Sequence, residues 1–279
     1  MSAQGPSAVR WPHDKWISPS VLKAYRDCAH QVRLKHIDRL PEPPVTRIDF
    51  TKGNATHIAL KQAAERLRRG EEPLADEQVL DKVRRDLPRS GFPSDEEWAS
   101  HLRDVMRWVR RGRQYIRRPT IVDWVQVERP LKRSWRLFRN APPFTVSARP
   151  DVIVLHEDDG GLWVEIIDYK TGSKWFDEMP ALVLRLVARD LLDGLVGNVD
   201  DVRVQFTYLW LEHADADTID LTPEYIDYYW RDIEDGMRAL AREAEWAPNP
   251  SPRCHYCPYF GTTCTEQIPL DPWADPRHG

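Results

Sequence analysis

The sequence predicts an α/β fold: a single domain in which helices flank a mixed β-sheet and a helical insertion precedes the strands. Three observations carry this expectation. Apolar residues recur at helical spacing through most of the stretch up to residue 118. From Ile121 the pattern changes to short runs rich in β-branched and aromatic residues, the mark of strands. Beyond residue 170 helix-like and strand-like segments alternate, which suits one layered domain better than two. With 279 residues, 41% of them hydrophobic, the chain is long enough for one large core or two small ones.

Residues 1–17 read as a loose arm without the apolar core of a signal peptide. No run of roughly 18 apolar residues predicts a membrane span. These features point to the cytoplasm and to no membrane partner. Ser18-Pro19 reads as a helix start, with Ser as N-cap and Pro at the first helical position. Val21, Leu22, Tyr25, Cys28 and Val32 follow at helical spacing, which places Cys28 on the inner face of that helix. The Pro-rich break at 41–44 ends the segment, and Gly53 opens a second helix with His57 in its first turns. Further helices are expected over 76–88 and 95–118, within a helical insertion of about 58–120.

Strands are expected in IVDWVQVERPL, SWRLFR, FTVSARPDVIVLH and LWVEIIDYK. A helix over 178–196, the strand VRVQFTYLWLE and a helix over 223–246 complete the expected domain, 18–266, ahead of a tail over 267–279.

Asp159-Gly160 is a signal for a two-residue hairpin turn. A turn centred there sets Asp151 opposite Asp168, with β-carbons about 4.5–5.5 Å apart. Lys170, two residues on, shares the face of Asp168. A turn at Gly160-Gly161 keeps all three on one face, whereas a three-residue loop would reverse the parity. Two carboxylates suit a hard cation such as Mg²⁺ or Mn²⁺, which can activate water and neutralise a phosphate. A neighbouring lysine can orient that water or stabilise the charged transition state. The bland alternative is a pair of solvated charges at a strand end. Against it, Asp168 closes the apolar run Trp163 to Ile167. His57 is a further candidate ligand, although a single helical histidine is more often structural. Glu128 is an accessory candidate.

Cys254, Cys257 and Cys264 crowd the C-terminus, with Cys28 far upstream. Four thiolates serve zinc and iron–sulfur clusters alike, so spacing leaves the two open. Two disulfides conflict with a reducing compartment. The net charge of −4 does not suggest nucleic-acid binding by the whole molecule. The segment 101–118 nevertheless carries seven Arg against one Asp, with Trp108 and Tyr115 interleaved. Arg107, Arg110, Arg111 and Tyr115 are therefore candidate DNA contacts, and a solvated helix face is the alternative.

Taken in order, S-P-S-V-L-K-A-Y-R-D-C at 18–28, G-N-A-T-H at 53–57, P-D at 150–151, I-I-D-Y-K-T-G at 166–172 and C-H-Y-C-P-Y-F-G-T-T-C at 254–264 resemble the PD-(D/E)xK nucleases. The resemblance is to the RecB-like branch, which includes the AddB nuclease domain and CRISPR-associated exonucleases. It implies a restriction-endonuclease-like core with an iron–sulfur-stapled C-terminal segment. It further implies that His57, Asp151, Asp168 and the Tyr169 carbonyl bind Mg²⁺ or Mn²⁺, with Lys170 as the catalytic lysine. Cys28, Cys254, Cys257 and Cys264 would hold a 4Fe–4S cluster.

Two departures stand out. Ala148 replaces a usual Gly, and Val183 and Val187 stand where a Q-x-x-x-Y motif is normally found. Gln205 and Tyr208 fall on the next strand at the wrong spacing. The implied activity is an exonuclease on single-stranded or free DNA ends, in repair, recombination or CRISPR adaptation. Its implied partner is a helicase or a CRISPR integration complex, since the chain has no phosphate-cradling motor motif of its own. A non-catalytic DNA-binding or scaffold subunit is the alternative.

Overall fold

The computed structural model describes residues 10–42 and 48–265. Residues 1–9 of the expected arm, the end of the Pro-rich break and the expected tail lie outside the described residues. In chain order the elements begin with β1 (Trp16–Ile17), α1 (Pro19–Asp27), α2 (Ala29–Val32), α3 (Ile48–Arg68), α4 (Asp76–Asp86) and α5 (Asp95–Tyr115). Strands β2 (Ile121–Val127), β3 (Leu131–Trp135), β4 (Phe144–Ala148), β5 (Val152–Asp158) and β6 (Gly161–Lys170) follow. The chain continues through α6 (Glu178–Val196), β7 (Arg203–Trp210), β8 (Asp215–Asp220) and α7 (Pro223–Arg242). The architecture is the expected α/β class, with mixed sheets and flanking helices. Among the described residues no helix is long and apolar enough to cross a membrane.

The chain packs as two compact units, each assembled from separated segments. One comprises Met1–Val45, Arg133–Ser147 and Trp230–Gly279; the other comprises Thr46–Lys132 and Ala148–Tyr229. In the first, the small sheet has the order β1-β4-β3, with β1 parallel to β4. Tyr25 donates to Glu243 at 2.8 Å and Tyr259 to the Leu40 carbonyl at 3.0 Å, so the C-terminal segment folds onto the N-terminal helices.

The second unit holds a five-stranded mixed sheet, β2-β5-β6-β7-β8. Only β6 and β7 run parallel, joined by the crossover helix α6. The β5–β6 hairpin pairs Val152 with Ile167 through to Asp158 with Gly161, the register of a turn centred on Asp159-Gly160. Val152, Val154, Ile167, Tyr169 and Leu209 pack in one core with Ala55, Ala59 and Ala63 of α3 and Val105 and Val109 of α5. Small side chains on α3 let it lie close to its neighbours, and this packing positions His57.

Several elements differ from expectation. Cys28 is not inside a helix: its extended backbone (φ −165°) separates α1 from α2, and its N–H caps Ala24 at 2.8 Å. Helix α3 begins at Ile48, so Gly53 and His57 lie within it. Gly53 allows a close approach, since a Cβ there would meet Thr171 Oγ1 at 3.2 Å. SWRLFR is strand only at Ser134 and Trp135: β3 spans Leu131–Trp135, the chain turns at Phe138–Ala141, and Pro142 and Pro143 offer no ladder N–H. FTVSARPDVIVLH divides into β4 and β5 around Pro150, which favours extended backbone at Arg149 and cannot donate. Strand β8 is unexpected. Its sequence DADTID is polar because it lies at a sheet edge, where charge discourages pairing with other chains.

Candidate active site

The site is built in the second unit where β5 begins and β6 ends. Asp151 immediately precedes β5, and the hairpin register brings it level with Asp168. Its Oδ2 accepts the Tyr169 N–H at 2.6 Å and its Oδ1 lies 3.2 Å from His57 Nδ1. Register shifts interrupt the pairing of β2 with β5, and just past β2 Glu128 adopts a left-handed backbone (φ 43°). That conformation is uncommon for a residue with a β-carbon and typical of functional sites. The Glu128 N–H is held by the Asp151 carbonyl at 3.0 Å, and its carboxylate comes 3.9 Å from His57 Nδ1. Ligand atoms of His57, Glu128 and Asp151 all lie within 4.8 Å of one another. Asp168 sits beside this trio with its carboxylate 2.7 Å from Lys170 Nζ. The Lys170 ammonium stands 5.1 Å from the Tyr208 ring centroid, and Tyr208 is level with Asp168 in the parallel ladder.

The electrostatics follow from crowding acids in a partly buried place. Burial opposes charge on His57, but Asp151, Asp168 and Glu128 outweigh it and raise its pKa. Burial would raise Asp151 too, yet His57, the Tyr169 N–H and Lys170 hold it low. Asp168 moves the other way, raised by burial and by Asp151 despite Lys170. Glu128 is likewise raised by burial and Asp151. The result is a concentrated negative field with oxygen donors and one imidazole, a donor set that fits a divalent cation.

A family model for the PD-(D/E)XK nuclease superfamily matches residues 16–262. The chain belongs to this superfamily. Membership in the PD-(D/E)XK nucleases implies nuclease activity, and the Pro150-Asp151 and Asp168-Tyr169-Lys170 pair stands at the ends of adjacent strands. A solved structure described as a "putative exonuclease", from Eubacterium rectale, has 12% identity and a TM-score of 0.51, covering 92% of this chain and 91% of that one. That likeness shows a shared fold. The structure of SSO0001 has 13% identity and a TM-score of 0.31, covering 75% of this chain and 92% of that chain. No curated protein matches the chain.

The remaining expected residues lie elsewhere. In the first unit none of the four cysteines is joined in a disulfide. Asn249 N–H points at Cys28 Sγ (3.5 Å) and Ser251 N–H at Cys254 Sγ (3.4 Å). Burial raises the Cys257 thiol, as do its neighbours Cys28 and Cys254, although the N–H groups of Tyr259 and Phe260 lower it. On α5, Arg107 pairs with Asp104 (2.6 Å) and Arg110 with Asp76 (2.7 Å). Arg111 donates to the carbonyls of Leu211 and Glu212 (2.7 and 2.6 Å). Tyr115 is turned inward, its hydroxyl on Glu165 at 2.8 Å. Arg110, Arg113 and Arg117 line a cleft of about 410 Å³ with Asp76 and Gln114.

Tyr208 has no local signal in the sequence, since only the parallel register places it by Lys170. Glu165 and His156 are further buried groups beyond the expected site residues. The hairpin register carries their signal, because it makes the two diagonal neighbours on one face. Val183 and Val187, standing where a Gln and a Tyr were expected, are buried in α6.

Proposed function

We propose that this protein is a metal-dependent deoxyribonuclease of the RecB-like type that trims single-stranded DNA ends, with its active site at Asp151, Asp168 and Lys170. The observation that carries this reading is the convergence of His57, Glu128 and Asp151 within 4.8 Å, beside the Asp168–Lys170 pair. His57, Glu128, Asp151 and Asp168 would hold Mg²⁺ or Mn²⁺. When bound, such a cation supplies charge neutralisation at the phosphate and lowers the pKa of water.

The chain's own groups do the rest. Asp151 is oriented through Oδ2 by the Tyr169 N–H, which leaves Oδ1 turned toward His57 and the proposed cation. Asp168 holds Lys170 over the Tyr208 face, which fixes the ammonium near the scissile phosphate, where it offers protons to a developing oxyanion. Within this reading Glu128 is a ligand rather than an accessory, because the left-handed turn aims it at the same point as Asp151.

The 4Fe–4S staple is part of the proposal. Backbone N–H groups are directed at the sulfurs of Cys28, Cys254 and Cys257, an arrangement that suits a cluster ligated by Cys28, Cys254, Cys257 and Cys264. The cluster would be structural, since phosphodiester hydrolysis moves no electrons. A helicase or a CRISPR integration complex would supply the end to be trimmed.

The test is cleavage of end-labelled single-stranded DNA with Mn²⁺, using anaerobically purified wild type and Lys170→Ala. The expected result is shortening by wild type and a loss of at least about a hundredfold in the variant. Cleavage at equal rates would remove Lys170 from the site. Inactivity of both, with cysteine-bound iron intact, would favour a DNA-binding scaffold.

A further inference from the structure

The loop that leaves Lys170 bears an aromatic ring in an unusual position. Trp175 is 52% exposed, five residues beyond Lys170, on a segment pinned on both sides. Before it, Lys174 pairs with Asp215 and lies 3.9 Å from Asp217 on β8. After it, Phe176 packs edge-on against Tyr208 at 5.4 Å, and the Tyr208 hydroxyl donates to the Asp177 carbonyl at 2.8 Å. Asp177 then caps α6 through the Met179 N–H at 3.0 Å. Tyr208 is the same ring that lies under the Lys170 ammonium, so the pinned loop and the lysine share one support. On the other border of the site, α3 approaches Thr171 at Gly53, and Phe50, seven residues before His57 on the same helix, is 65% exposed.

A large exposed indole on a fixed loop loses little conformational entropy when a flat partner covers it. Unpaired bases present such faces, whereas bases in a duplex are already stacked.

We propose that Trp175 is the base-stacking platform that makes this site select single-stranded DNA, holding an unpaired base next to the phosphate offered to Lys170. The inference rests on the nuclease reading above and names the residue that sets its substrate class. Trp175 here is a specificity-determining residue and takes no part in bond breaking.

The experiment compares full-length wild type, Trp175→Ala and Trp175→Phe. Binding is followed by fluorescence anisotropy with chelator present, on an oligothymidylate of about fifteen nucleotides. The same assay is run on a blunt duplex and on a strand of equal length made of abasic sites, and cleavage is measured separately with Mn²⁺. Trp175→Ala should weaken binding to the oligothymidylate roughly ten- to hundredfold. Trp175→Phe should recover most of that loss, and affinity for the duplex and the abasic strand should stay unchanged in both variants. Equal binding of the oligothymidylate by wild type and Trp175→Ala overturns the inference, as does an equal loss on all three probes. If wild type still cuts single strands in either case, the nuclease reading stands without the platform. If wild type neither binds nor cuts them, both readings fall together.

Discussion

Glu165 is a fully buried carboxylate in the middle of a sheet, and four partners answer its charge. Thr207 donates at 2.6 Å, Tyr115 at 2.8 Å and His156 Nε2 lies at 3.0 Å, while Arg118 forms the ion pair. His156 in turn lies flat on Trp163 at 3.9 Å and meets Thr120 at 2.9 Å. Burial would raise the Glu165 pKa, but His156, Arg118, Thr207 and Tyr115 together lower it to about 2. A carboxyl more acidic folded than unfolded stabilises the fold above its unfolded pKa and loses that contribution as pH falls toward its folded value. The gap from an ordinary 4.5 to about 2 corresponds to on the order of 3 kcal/mol. Wild type should therefore lose stability to urea as pH drops from about 4.5 toward 2. Glu165→Gln should be less stable at pH 7, and the difference should shrink across that window. Parallel pH profiles for the two proteins would refute this account. The same hairpin register that brings Asp151 level with Asp168 also brings His156 to Glu165, so this much of the residue scale was legible. The partners Arg118, Tyr115 and Thr207 come from α5, the segment after it and β7, and no local pattern announces them.

Helix α5 shows how an element can be read correctly in type and differently in use. Its start is capped by Ser94, which accepts the Glu97 N–H at 3.1 Å, and acids fill the first turn. Gly112 costs helix propensity, yet a Cβ there would meet Leu60 Cδ2 at 2.6 Å. Gly112→Ala should destabilise by about 1–3 kcal/mol, against the propensity gain of roughly 1 kcal/mol, because both helices are packed into one core. A rise in Tm would show that Leu60 yields freely. The arginines of α5 read from sequence as one basic stripe, and the structure separates them. Arg111→Ala should cost about 1–3 kcal/mol in unfolding experiments, because it leaves the Leu211 and Glu212 carbonyls without their donor. Arg107 and Arg110 hold only exposed ion pairs, so their joint replacement by Ala should leave stability nearly unchanged. If this face follows DNA, the double variant should flatten the salt dependence of binding by up to about two phosphate contacts. An unchanged salt slope would remove α5 from the DNA path.

At the scale of the whole chain, Cys28 and the three C-terminal cysteines stand in one compact unit assembled from both ends of the sequence. Asn249 links the two segments through its N–H on Cys28 and its side chain on the Asp27 carbonyl at 3.1 Å, and Arg253 pairs with Asp27. A cluster held there would constrain the unfolded chain as a long-range cross-link does. Cys254→Ala should lose the brown chromophore and bound iron, with Tm lower by on the order of 10 °C. Unchanged iron content and melting would dismiss the staple.

By itself the sequence determined the alternation of helices and strands and the hairpin that aligns Asp151 with Asp168. Strand parity and turn chemistry act over a few residues, so they can be read without knowing the rest. The tertiary structure alone decided three further things. Glu128 swings into the His57–Asp151 cluster, because β2 meets β5 through register shifts and ends in a left-handed residue. Tyr208 supports Lys170, because β7 runs parallel to β6 after a helical crossover. Cys28 leaves its helix, because an extended residue there presents its sulfur to a segment from the other end of the chain. Each depends on contacts between segments far apart in sequence, and packing settles those only when the whole chain has folded.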